Sequence, residues 1–105
     1  MMYRCLVKEE LMALAREVFE GSRSVVVTAY TCSSYPGVSF YVSVTGVSRP
    51  LQQIVRLELY LGTALVHKRE KLRELAEHAE DLARRLAEEL ESLGLEAKVA
   101  RALDI

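Results

Sequence analysis

The chain has 105 residues and a mass of 11.8 kDa, with 50% of its residues hydrophobic and 28% charged, enough for one buried core and too little for two. A single domain over residues 1–105 is therefore expected, and the formal net charge of -1 and pI near 6.1 exclude a strongly basic nucleic-acid binder of the histone type. The charge is uneven, however: residues 21–68 carry four basic groups (Arg23, Arg49, Arg56, Lys68) and one acidic (Glu58), whereas residues 69–105 carry seven basic and ten acidic.

The start, "MYRCLV" at residues 2–7, is short and ambiguous. Read as a strand it makes the sheet five-stranded, and otherwise the sheet has four strands. Val7, Leu11, Leu14, Ala15, Val18 and Phe19 then follow the i, i+3, i+4 spacing of a helix with one buried face, and Gly21 stops it. Two β-rich runs, "SVVVTAYTCSS" and "VSFYVSVTG", flank Tyr35-Pro36-Gly37 and predict a β-hairpin with a type II turn. A third run, "VRLELYLG", alternates again, with Val55, Leu57, Leu59 and Leu61 on one side and Arg56, Glu58 and Tyr60 on the other. It is read as a strand in preference to a helix opened by Pro50.

From about residue 65 to Leu93 the spacing of Leu72, Leu75, Ala76, Ala79, Leu82, Ala83, Leu86, Leu90 and Leu93 predicts one long helix, ended by Gly94. At nearly 30 residues it should reach roughly 45 Å, longer than a strand of the sheet is expected to be. Its far end at Leu86, Leu90 and Leu93 is therefore expected to meet a partner helix, giving a homodimer or higher oligomer. "LEAKVARAL" reads as a last strand with Leu95, Ala97 and Val99 inward. The fold class expected is α+β: two layers, an antiparallel sheet of about four strands with two helices on one face, and a long C-terminal helix.

The face away from the helices then carries the chemistry. It presents Tyr30, Tyr41 and Tyr60 among Thr28, Ser39, Ser43 and Thr45, with Arg23, Arg49, Arg56 and Lys98 nearby. Tyrosine offers a flat ring for stacking on bases, small hydroxyl residues leave room around it, and cations meet phosphates. The expected function is single-stranded DNA or RNA binding with little sequence preference. The alternative is a protein–protein interaction or scaffold surface, since Tyr and Thr favour strands in any case.

The order of a short helix, a curved antiparallel sheet bearing aromatics and a long Leu-rich C-terminal helix resembles the small single-stranded DNA-binding proteins of thermophilic archaea, the ThermoDBP-like group. The resemblance is one of pattern over most of the chain, and no family residue is carried over from it. It implies non-sequence-specific binding by a homo-oligomer. Independently, the absence of Asn, the presence of only two Gln and the wealth of Glu, Arg and Leu match the composition of a thermophile's protein.

No P-loop, GxGxxG, GxSxG or HExxH stretch occurs. His67 and His78 stand eleven residues apart, about 16 Å along a helix, too far to share one metal. No catalysis, cofactor or metal is expected. Cys5 and Cys32 lack CxxC spacing and are read as buried reduced thiols, with one disulfide as the alternative. Neither a signal-peptide pattern nor an uninterrupted apolar run is present, so a soluble, cytoplasmic protein with no membrane contact is expected.

Overall fold

The computed structural model describes residues 2–6 and 8–103, with side chains from residue 9 onward. The elements follow in the order β1 (Met2–Leu6), α1 (Lys8–Val18), β2 (Ser24–Ser34), β3 (Gly37–Ser48), β4 (Gln53–Leu65), α2 (Arg69–Ser92) and β5 (Glu96–Ala102). The chain is α+β, as its two periodicities predict. Val7, expected in the first helix, lies outside the described residues.

The sheet has five strands in the order β1-β4-β3-β2-β5. Its centre is an antiparallel meander, β2 against β3 and β3 against β4, but β1 runs parallel to β4 and β5 parallel to β2. The expectation of a wholly antiparallel sheet is corrected, and residues 2–6 form the strand that makes the sheet five-stranded, one of the two alternatives left open for the start of the chain. The physical reason lies in the connections: each outer strand is joined to the meander through a helix, and a helical crossover allows a parallel partner where a tight turn cannot. The turn of the hairpin also differs. The Tyr35–Pro36 peptide bond is cis and Gly37 is not among the glycines with positive φ, so the turn is not type II.

One apolar core joins all the elements whose side chains are described. Alternate residues Val25, Val27 and Ala29, then Phe40, Val42 and Val44, then Val55, Leu57 and Leu59 are buried, the period of two that a strand imposes. They share a cluster with Leu11, Ala15, Val18 and Phe19 at and after α1, and with Leu75, Ala76, Ala79, Leu82, Ala83, Leu86, Ala87 and Leu90 of α2. The last helix ends by a Schellman arrangement: Leu95 N–H donates to Leu90 O at 3.3 Å, Gly94 N–H to Glu91 O at 2.9 Å, and Gly94 takes φ +93°. Leu95 and Leu90 are both buried, the apolar contact that accompanies this cap. At the opposite end of the core, Ser48 Oγ donates to Val18 O at 2.6 Å and Ser22 Oγ to Val47 O at 2.7 Å, fastening the end of α1 to the end of β3.

The stripe of the long helix that was expected to reach a partner meets the chain's own sheet over most of its length. Its 24 residues give about 36 Å, while the 13 residues of β4 span about 43 Å. The sheet is long enough to cover the helix. Leu86 and Leu90 are accordingly 5% and 0% exposed inside the chain's own core, and of the three leucines assigned to an oligomer interface only Leu93, at 52%, faces out.

Candidate nucleic-acid interface

Hairpin geometry brings the first two tyrosines together. Ser34 pairs with Gly37 at the turn, and counting back along both strands sets Tyr30 opposite Tyr41. The third joins across β3 and β4, where Tyr41 pairs with Tyr60 beside a β-bulge at Phe40/Tyr41. A bulge adds a residue to one strand and re-aims the side chains beyond it. Here it lets Tyr60 and Thr63, three residues apart, both lie with the tyrosines, while Gly62 faces Leu75 of α2, its Cβ position 3.3 Å from a Leu75 methyl.

The result is a row across three neighbouring strands. Tyr30 and Tyr41 stack with ring centroids 5.2 Å apart and planes 14° from parallel, and Tyr41 and Tyr60 follow at 5.5 Å and 53°. Such pairs each contribute about 0.5–1.5 kcal/mol beyond area burial. The Arg56 guanidinium lies over the Tyr30 ring, 5.0 Å from its centroid. At the other end the hydroxyls of Tyr60 and Thr63 hydrogen-bond each other, and Thr63 Oγ1 also meets Ser39 Oγ at 2.8 Å.

The ring faces of Tyr30 are therefore already occupied, by Arg56 and by Tyr41. Tyr60, 47% exposed, is the ring of this row most open to a visiting planar group. Tyr41 supports it from behind.

Beside this row lies a partly buried ion pair. Arg56 Nη2 donates to Glu58 Oε1 at 3.3 Å, with side chains 35% and 5% exposed. Burial pushes the Glu58 carboxyl above its usual range despite the guanidinium next to it. Arg56 Nε is buried with no hydrogen-bond partner. Glu58 and Ser43 pair across β3 and β4 and are 4% and 2% exposed, so the face expected to be open is closed in its middle. The reason is the reach of Arg56, which covers this part of the sheet on its way to Tyr30.

The other predicted cations do not join the tyrosines. Arg23 and Arg49 sit together at the far end of β2 and β3, lining a cavity of about 470 Å³, with Arg49 Nη1 donating to Gly21 O at 3.2 Å. Lys98 pairs with Val26, which pairs with Thr45 and through it with Arg56, so Lys98 and Arg56 lie in one cross-strand row, three strands apart. Thr63 was beyond the predicted strand end, and Val26, Val47 and Ile54, exposed at 39%, 60% and 49%, carried no signal of surface exposure in an apolar run. Val47 pairs with Ile54 directly.

Cys32, expected to be buried, is an exposed free thiol opposite Ser39. It occupies an even-numbered position of β2, on the face opposite the buried Val25, Val27 and Ala29, and thus escapes the core. The side chain of Cys5 lies outside the described residues. Among the described residues no group of three or more His, Cys, Asp or Glu is placed to hold a metal ion, and no helix is long and apolar enough to cross a membrane. No protein-family model, curated protein or solved structure matches the chain.

Proposed function

We propose that the chain binds single-stranded DNA or RNA with little sequence preference on the tyrosine-bearing face, with the strand running along β2 to β4. The observation that carries this reading is the row Tyr30–Tyr41–Tyr60 with Arg56 laid over one end. A base stacks on the exposed ring of Tyr60, backed by Tyr41, and stacking of this kind contributes about 1–3 kcal/mol per base whatever its identity. Arg56, still holding free N–H donors, meets the phosphate beside that base. From there the backbone passes Lys98 and ends at Arg23 and Arg49, about 20 Å along β2 from Tyr30. This is the mode of binding that the resemblance to the ThermoDBP-like proteins implies.

The reading places both helices on the opposite face, and the topology supports it. The β1-α1-β2 and β4-α2-β5 connections each join parallel strands, each skips two strands, and both cross the sheet in the same direction. Crossovers of this kind are right-handed in nearly all proteins, and two of one hand and one direction stack on one side. A second reading, in which the same face docks a protein or another copy of the chain, is favoured by the exposed Val26, Val47 and Ile54.

Fluorescence anisotropy with labelled oligo-dT at two salt concentrations decides between them. Four phosphate contacts predict a slope of log affinity on log salt of about -3. Tyr60→Ala should lower affinity roughly tenfold or more, and Tyr60→Phe should restore it. Absence of binding at low salt and tens of micromolar protein supports the docking reading instead.

A further inference from the structure

Away from the tyrosine row, the first three turns of α2, the segment leaving β4 and the end of β5 line an open cleft of about 660 Å³. That is the size in which small organic ligands are held. Its floor is apolar, built from Val38, Leu72 and Ala76, and its rim carries Arg69, Arg73 and Arg101. An apolar floor under a few convergent polar groups is the usual construction of a small-molecule site.

The pairing of the charges around it is uneven. Arg101 donates its Nε to Glu80, which leaves the remaining N–H groups of that guanidinium free for other acceptors. Arg69 and Arg73 have no ion pair among the described residues. They stand four apart on one helix, where like charges repel. Glu77, on the same rim and four residues beyond Arg73, makes no ion pair among the described residues, in keeping with the weaker base-before-acid order on a helix. Farther along the same helix the opposite holds, with Asp81 bound to both Arg84 and Arg85. Two solvent-exposed guanidinium groups with no ion pair among the described residues stand beside an apolar floor, and they complement an anion.

We propose that this cleft binds a small carboxylate with an apolar body, such as a medium-chain fatty acid. The chain lies on Val38, Leu72 and Ala76, and the carboxylate sits between Arg69 and Arg73, whose planar forks match it in bidentate geometry. Glu77 and Glu80 on the rim select against anions of higher charge, and the floor selects against ions with no apolar part.

Calorimetric titration of the full chain with decanoate, below its micelle-forming concentration, tests the assignment alongside methyl carbon–proton NMR. One saturable site is expected, with shifts at the methyls of Val38, Leu72 and Ala76. Decanol should bind about tenfold more weakly or worse, because it lacks the charge-assisted bonds. The double substitution Arg69→Gln with Arg73→Gln should remove that preference without moving the unfolding midpoint, since both residues are exposed. Glu77→Gln should tighten decanoate binding a few-fold, an effect opposite in sign and not attributable to misfolding. Equal affinity for decanoate and decanol, full competition by inorganic phosphate, shifts confined to the tyrosine face, or no saturable heat would each overturn the proposal.

Discussion

A methyl group added at Gly46 would stand 2.9 Å from Val25 Cγ1, 3.1 Å from Ser24 O and 3.2 Å from Phe19 Cε1. Two of these neighbours are core side chains and one is backbone, so none can retreat freely. Gly46→Ala is expected to destabilise the fold by about 1–3 kcal/mol, read as a lower urea midpoint with an unchanged slope. Glu58 makes a different prediction. Burial raises its pKa above the ordinary 4.5, so the folded chain holds this proton more tightly than the unfolded chain. The stability linked to it is fully present below the unfolded value and is lost as pH rises through the raised folded value. As pH rises from the ordinary carboxylate value upward, the unfolding midpoint of the wild type should therefore fall more, or rise less, than that of Glu58→Gln, which has no proton to lose there. Parallel pH profiles for the two proteins would contradict this account of the partly buried pair.

At the scale of elements, the stripe of α2 follows the expected spacing, and two of the three leucines expected at a partner contact lie in the chain's own core. Its apolar stripe was legible because burial follows the helical period. Whether that stripe meets the chain's own sheet or a partner depends on strand lengths, and β3 and β4 run on past the predicted boundaries to Ser48 and Leu65. Leu90→Ala should cost about 2–5 kcal/mol, and Leu93→Ala, at an exposed position, should stay within about 0.5 kcal/mol. Equilibrium unfolding of the two variants separates a core position from a surface one, and a loss of self-association in Leu93→Ala would restore the partner-helix reading. The strand faces were legible for the same reason as the stripe, since a period of two assigns every residue to a side. The hairpin register follows from a short turn, so the Tyr30–Tyr41 pair could be found by counting. Tyr60 could not be placed that way, because its row depends on the β3–β4 connection and on a bulge that no local signal announces. The parallel outer strands were equally illegible: which strand β1 or β5 joins is decided by long crossovers, not by anything in the five or seven residues themselves.

The whole molecule measures 44 × 24 × 21 Å, and its cations are spread along that length. Arg23 and Arg49 cluster at one end of the meander, Arg56 and Lys98 lie in the cross-strand row a few residues in from that end, and the tyrosine row lies farther toward the hairpin turn. A net charge of -1 gives no general attraction for a polyanion, so any affinity must come from this local arrangement together with stacking. That dependence makes the location of binding the decisive observation. The most direct measurement is an NMR titration of the isotope-labelled chain with unlabelled oligo-dT at low salt, following aromatic and backbone signals together. Saturable shifts centred on Tyr60 are expected, with smaller ones at Tyr41, Tyr30 and Arg56 and a trail toward Arg23 and Arg49, leaving α2 unchanged. Shifts confined to Lys68, Arg69, Lys71 and Arg73 at the start of α2, or no shifts at all, would contradict it.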